Sequence, residues 1–265
     1  MSNKNKISKK YLFHFSETIY RPIWTYLGKL KEFDSICYFY STYDVPKNEK
    51  SKEITQHYEF GNISWENIFV WDETQKNTLL KFVRQDLFDI NIVMTGPIWF
   101  LDSNFILPDS NNKKRIIIFD MEVHRKSIHF GWYDTAEYTD LIDNFNCIFL
   151  NDIFKTFKEK DCELVLKRKR ASHYTRTNYK RLVSMLEKKG LLIADEHVSP
   201  FYLLKNCSGT ISTPFTSANL YTSKKINNIY YDPIKRIYKN DTAARGIKII
   251  SGIEELRQYQ EEFYE

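Results

Sequence analysis

The chain has 265 residues, 42% hydrophobic and 28% charged, with only 8 Gly and 7 Pro, which excludes wholesale disorder, collagen-like and low-complexity classes. No apolar run approaches the ~20 residues of a membrane-spanning helix, and Tyr11 to Ser16 is too short for a signal-peptide core, so the chain reads as cytosolic. The net charge of +5 is uneven: Lys155 to Lys189 hold 12 Lys/Arg against 4 Asp/Glu, which points to a phosphate-bearing partner or an anionic surface rather than to nucleic acid.

Short β-rich runs alternate with helical stretches along the chain, the pattern of parallel sheets built from βαβ units. The first run is Tyr11 to Ser16, followed by a predicted helix from Pro22 to Phe33 and a strand from Ser35 to Ser41. Asn67 to Trp71 is a third strand, after which Asp72 caps a helix through Gln85. Asn91 to Thr95 is a fourth, closed by Gly96 and Pro97, and Pro108 to Lys114 reads as a linker.

Arg115-Ile-Ile-Ile-Phe-Asp120 is a continuous apolar run, as expected of a central parallel strand buried on both faces. A helix is predicted over Thr135 to Lys158, a strand over Glu163 to Lys167, a helix over Tyr179 to Lys189 and a strand over Leu191 to Ala194. Ser199-Pro200 starts another helix, Gly209 to Ser212 is a strand, and Pro214 to Tyr221 is predicted helical. Strands at Asn228 to Tyr231 and Ile247 to Ile250 precede a terminal helix over Ile253 to Phe263. The economical architecture is α/β, two Rossmann-like halves: residues 1–110 and residues 115–265.

The sequence holds no GxGxxG, no GxxxxGK[ST], no GxSxG and no HExxH, so dinucleotide, P-loop, hydrolase and zincin readings lose their main support. No metal site is expected from the six histidines, and the four separated cysteines read as buried free thiols.

Three strand ends carry chemistry-bearing residues. Ser212-Thr-Pro-Phe-Thr-Ser217 sets four hydroxyls (Ser212, Thr213, Thr216, Ser217) where a strand ends and a helix is expected to begin, which suits either helix capping or a phosphate site. Lys167-Arg-Lys-Arg170 follows another strand, and ligands of open parallel sheets gather at carboxyl ends. Four adjacent cations repel one another, and an anionic ligand relieves that cost. A solvated face is the competing reading. The third end, Asp120-Met-Glu-Val-His-Arg125, offers Asp120, Glu122 and His124 as general bases or as turn-forming and exposed residues. In the first half, Glu17 and Arg21 follow the first strand, and Thr95 and Gly96 follow the fourth; Glu17 is a further base candidate, and Arg21, Thr95 and Gly96 fall on the acceptor side.

Ser212 to Ser217 resembles the signature of the bacterial polysaccharide-biosynthesis PFTS-motif proteins. Tyr20 to Trp24, Tyr40 to Thr42, Val70 to Asp72, Leu164 to Arg170, Ser199 to Phe201 and Tyr230 to Pro233 look similar as well, in order along nearly the whole chain. The resemblance implies a GT-B-like glycosyltransferase with two Rossmann-like domains, the first of them short, acting on O-antigen, capsule and related glycans. It makes the second half the donor domain. A Ser/Thr pair on the donor phosphate maps onto Ser212 and Thr213 or onto Thr216 and Ser217, with Lys167, Lys169, Arg170 and Ser199 beside it. Where related enzymes carry a His-Pro motif, this chain has Lys167 to Arg170, so no histidine acid is carried over.

The implied co-substrate is a CMP-linked acidic sugar or a UDP- or GDP-sugar, with no further cofactor. The acceptor is a glycan or lipid-linked glycan, which allows peripheral association with the cytoplasmic face of the inner membrane. No DxD triplet occurs, in keeping with metal-independent transfer. The competing class is a non-catalytic subunit that holds a nucleotide or anionic glycan.

Overall fold

The computed structural model describes residues 8–15, 21–28, 32–42, 63–83, 89–98, 113–120, 136–168, 177–195, 198–221, 226–235 and 237–265. Its strands fall into two compact units. In the first, β1 (Lys10–Phe15), β2 (Asp34–Phe39), β3 (Asn67–Val70) and β4 (Asn91–Met94) form an all-parallel sheet in the order β1-β2-β3-β4. Helix α1 (Glu73–Phe82) begins as expected at Asp72, whose carboxylate accepts from the Gln75 amide at 2.8 Å. Asp72 thereby satisfies one of the orphan donors of the first turn.

One expected element differs. Of the helix predicted from Pro22 to Phe33, Ile23–Leu27 is a 3-10 helix and Gly28 is α-helical, residues 29–31 lie outside the described residues, and Glu32 has a positive φ of 58° before β2 starts. Isoleucine, tryptophan, threonine and tyrosine lose side-chain freedom in an α-helix, so a first turn rich in them gains little from the α-helical form.

The second unit contains β5 (Lys114–Phe119), α2 (Ala136–Phe157), β6 (Cys162–Lys167), α3 (Thr177–Glu187), β7 (Leu192–Ile193), α4 (Pro200–Lys205), β8 (Gly209–Ser212), β9 (Asn227–Asp232), β10 (Lys248–Ser251) and α5 (Gly252–Tyr264). Its six strands are all parallel, in the order β10-β9-β8-β5-β6-β7. Counted within the unit this is 6-5-4-1-2-3, the doubly wound Rossmann order, with the reversal between β5 and β8.

The β5 run Ile116-Ile-Ile-Phe119 is buried on both faces, as its sequence requires. Ile116 and Ile118 meet Phe149, Ile153 and Phe157 of α2 and Leu256 and Phe263 of α5, while Ile117 and Phe119 meet Leu203 and Leu204 of α4. Each such side chain contributes about 1.5–3 kcal/mol when fully buried. At the opposite end of β8, a Cβ on Gly209 would lie 2.9 Å from the Asn227 carbonyl and 2.7 Å from the Phe263 ring, so only glycine lets β8 and α5 approach this closely.

Both units are Rossmann-like, and the fold is α/β of the GT-B-like class. The cysteines are free, but only Cys37 is fully buried; Cys147, Cys162 and Cys207 are half-buried, a partial correction to four buried thiols. Burial pushes the Cys37 and Cys207 thiols up to about 12.

Candidate functional site

The strand order reverses between β5 and β8, and the carboxyl ends beside such a reversal are where an open parallel sheet binds ligands. Phe119 at the end of β5 lies in register with Lys167 on β6 and with Ser212 on β8. Aligned residues of parallel strands point to one face, so Lys167 and Ser212 share a face, two strand spacings or about 10 Å apart. Both are buried. The Lys167 ammonium donates to the Asp195 carbonyl at 3.1 Å. The Ser212 hydroxyl is buried without a partner among the described residues. A buried hydroxyl left unpaired costs about 1–3 kcal/mol.

On the other face, one residue further along β5, the buried Asp120 carboxylate accepts from the Tyr179 hydroxyl at 2.7 Å, and Arg168 Nε stands 3.9 Å from the same oxygen. Tyr179 lies in the first turn of α3, and the Arg168 guanidinium sits 5.8 Å from its ring centroid. Burial, reinforced by the Asp120 charge, pushes the Tyr179 phenol well above its ordinary range. The hydroxyl therefore stays protonated and works as a donor. Neither Arg168 nor Tyr179 is among the expected site residues. Arg168 is one of four adjacent cations, and alternation alone does not say which of them turns toward Asp120; Tyr179 reads from sequence as an ordinary buried helix residue.

The turn after β8 corrects the sequence expectation. No α-helix starts at Pro214. Thr213 to Thr216 form a turn closed by the Thr216 amide on the Thr213 carbonyl at 3.3 Å, and a 3-10 helix, Ser217–Tyr221, follows. Proline at the second turn position and a positive φ of 62° at Phe215 in the third make the pattern of a type II turn. Glycine is the usual occupant of that third place, and a left-handed Phe cannot sit inside an α-helix. An α-helix dipole is therefore not what this turn offers. Phe215 is held there by its ring, which is buried against Tyr230, Ala244 and Ile249. The strain, of order 1–3 kcal/mol, persists because packing over-determines it.

Within the turn the Thr213 and Thr216 hydroxyls lie 2.9 Å apart, and Thr216 also donates to the Thr213 carbonyl at 2.8 Å. Asn219, buried in the 3-10 helix, bonds to the Thr210 hydroxyl and donates to the Ile229 carbonyl at 3.0 Å, which pins the segment across β8 and β9. Ser199 occupies the N-cap of α4 as expected, yet its hydroxyl makes no capping bond.

Glu17, Glu122, His124, Lys169 and Arg170 lie outside the described residues. In the first unit, Arg21 donates to the Thr25 hydroxyl at 3.0 Å and to the Ser64 carbonyl, with its guanidinium 4.1 Å from the Tyr26 ring centroid. Thr95 donates to the Gly96 carbonyl at 3.0 Å, and Gly96 has a φ of +70°. The structure thus brings Asp120, Lys167, Ser212 and Thr213 to the end of one sheet, and adds Tyr179 and Arg168 to them. Among the described residues no helix is long and apolar enough to cross a membrane.

The chain was compared with known proteins. No curated protein matches it. A solved structure from Listeria monocytogenes described as a UDP-N-acetylglucosamine 2-epimerase matches over 97% of this chain with a TM-score of 0.55 and 11% identity. The chain spans 65% of that structure's length, and at this identity the likeness is one of fold. The family model of the polysaccharide biosynthesis PFTS motif proteins matches residues 1–260. The chain belongs to that family, and its role lies in polysaccharide biosynthesis.

Proposed function

We propose that this member of the PFTS motif family is a glycosyltransferase, moving a sugar from a nucleotide-sugar donor to a bacterial surface-polysaccharide acceptor. The observation that carries the reading is the switch point of the second unit's sheet. There the Asp120–Tyr179–Arg168 group flanks one side of the strand reversal and the strained PFTS turn flanks the other. A leaving nucleotide develops negative charge on its phosphate, and pre-positioned cations and hydroxyls lower the barrier by meeting that charge where it forms.

Arg168 supplies the cation and Thr216 and Ser217 the hydroxyls, so this transfer needs no metal in the step. Asp120, engaged by Tyr179, acts as a positioning residue for Arg168; the base that deprotonates the acceptor hydroxyl is then Glu122, His124 or Glu17. The acceptor, a glycan or lipid-linked glycan, falls to the first unit with Arg21, Thr95 and Gly96. The Listeria structure is described as an epimerase of a UDP-linked sugar, which puts UDP-sugars first among the donors.

A non-catalytic nucleotide- or glycan-binding subunit is the second reading. It is favoured by the internal bonding of Lys167 to Asp195 and of Thr213 to Thr216, which leaves fewer groups for a transition state.

The test is a thermal-shift panel of CMP, UDP, GDP and their sugars. A ligand at 100 times its dissociation constant stabilises by about 2.7 kcal/mol. The responding nucleotide is then titrated into Thr216→Ala/Ser217→Ala and into Tyr179→Phe. Two lost hydroxyl contacts predict a roughly 5- to 150-fold weaker affinity in the first, and loss of the Asp120 bond weakens the second through Arg168. A lower melting point with full affinity would make the turn and the tyrosine purely structural. Absence of any nucleotide response sinks the reading, and binding without slow donor hydrolysis selects the subunit.

A further inference from the structure

The terminal helix α5 packs beside α2 on one face of the second sheet. The two are joined where the Gln260 amide donates to the Thr156 carbonyl, and where the Phe157 ring meets those of Tyr259 and Phe263 at 6.5 and 6.2 Å between centroids. Toward the start of both helices they flank a cavity of about 170 Å³, lined by Asp152, Lys155, Thr156, Ile253 and Arg257. At about 30 Å³ per water there is room for about six waters, or for a molecule of about three to four carbons with its substituents.

The lining is polar and only partly engaged. The Thr156 hydroxyl is buried without a partner among the described residues, although a helical threonine has the carbonyl one turn back within reach. Asp152 accepts from the Tyr231 hydroxyl through Oδ2 at 2.7 Å, which leaves Oδ1 without a bond among the described residues. Lys155 and Arg257 act on Asp152 through charge, but neither closes a hydrogen bond or an ion pair with a described residue. Glu254, the other carboxylate that acts on Asp152, stands 3.7 Å from Lys235. The lining therefore sets two cations against one carboxylate, beside an unbonded hydroxyl and one aliphatic wall. Polar groups that converge on a concave surface mark a ligand site, and buried hydroxyls are seldom left unbonded.

We propose that this cavity binds a small hydroxylated anion, a hydroxy acid or a polyol phosphate. Lys155 and Arg257 take its anionic group through charge-assisted hydrogen bonds. Its hydroxyls donate to Asp152 Oδ1 and bond to Thr156, and its carbon face lies on Ile253. A bare oxyanion would set a like charge against Asp152, and a neutral polyol would leave both cations unmatched. The cavity shares no residue with the Asp120–Tyr179–Arg168 group, and the proposal does not rest on the glycosyl-transfer reading.

The experiment is calorimetric titration of the full chain with glycerate, glycerol 3-phosphate, glycerol and inorganic phosphate. Glycerate or glycerol 3-phosphate is expected to bind at least ten-fold more tightly than glycerol or inorganic phosphate, and the tighter of the two identifies the anionic group. Lys155→Gln/Arg257→Gln lowers that affinity ten-fold or more. Thr156→Val, which keeps the shape and removes one hydroxyl, lowers it about 2- to 12-fold. Without ligand it leaves the melting point unchanged or raised, since the hydroxyl has no partner to lose. The control Lys188→Gln/Lys189→Gln removes two exposed cations elsewhere in the same unit and leaves the affinity unchanged. Lys155 and Arg257 are exposed, and an unchanged melting curve confirms that their variant is folded. Four outcomes overturn the proposal: no binding of either hydroxylated anion, inorganic phosphate binding as tightly as glycerol 3-phosphate, undiminished binding by Lys155→Gln/Arg257→Gln, or an equal loss in Lys188→Gln/Lys189→Gln. The third would place the ligand elsewhere on the protein, and the last would reduce the effect to long-range charge.

Discussion

The two units tie the carboxyl ends of their strands with different chemistry. In the first, the knot is neutral and directed at the backbone. Gln75 donates to the Ser41 and Thr42 carbonyls at 2.9 and 3.1 Å and accepts from the Trp71 amide at 2.8 Å, and the Trp71 indole donates to the Phe39 carbonyl at 2.6 Å. Every partner is satisfied inside the unit, and Gln75 is almost wholly buried. In the second unit the corresponding edge holds a carboxylate, a guanidinium and a phenol, a buried serine without a partner among the described residues, and a Phe in a left-handed turn.

A closed neutral network stabilises and does little else, whereas charge and strain at a switch point cost stability and are kept where a ligand uses them. The family resemblance includes both knots: Tyr40 to Thr42 and Val70 to Asp72 in the first, Ser212 to Ser217 in the second. A shared motif therefore marks architecture in one place and candidate chemistry in the other.

That contrast can be broken by substitution. The largest effect is expected at Phe215. Replacing it by Ala empties the site against Tyr230, Ala244 and Ile249 and costs about 3–5 kcal/mol. Phe215→Gly loses the same ring but adopts the positive φ without strain, so it is expected to be more stable than Phe215→Ala by about 1 kcal/mol. Urea denaturation of the two variants decides, and the opposite order would mean that the turn carries no strain.

Gln75→Leu comes next. It removes the Gln75 bonds to the Trp71 amide and to the Ser41 and Thr42 carbonyls, for a loss of about 2–4 kcal/mol. Nucleotide affinity of the folded variant should be unchanged. A loss of affinity at constant stability would move the functional contrast into the first unit.

The smallest effect concerns pH. Asp152 on α2 accepts from the Tyr231 hydroxyl at 2.7 Å, and its pKa is raised above the ordinary 3.8, chiefly by burial. The folded state then holds the extra proton over the window that starts near 3.8, so stability is greatest below it and falls as pH rises through the raised value. Asp152→Asn is expected to flatten the acid side of a melting-point-against-pH curve and to stabilise slightly at neutral pH. An unchanged slope would show that Asp152 contributes nothing to it.

Much of this architecture was legible in residue order. The alternation of strands and helices, the doubly buried Ile116-Ile-Ile of β5, the Asp72 cap and the position of the PFTS stretch just past a strand all follow from local patterning, because side-chain period and capping chemistry act over a few residues. The same local reading expects an α-helix where Ile23–Leu27 is a 3-10 helix and where Thr213–Thr216 is a turn. Proline is as good a second residue of a turn as a first residue of a helix, and what separates the two at Pro214 is the burial of Phe215 against residues 15 to 34 positions away.

Only the tertiary structure decided the strand reversal between β5 and β8, the face shared by Lys167 and Ser212, and the contact of Tyr179 with Asp120 across 59 positions of sequence. Periodicity states which side chains share a face of one strand but not which strand lies beside it. That order is set by how the crossover helices pack on the two faces of the sheet, and it brings Asp120, Arg168 and Tyr179 together.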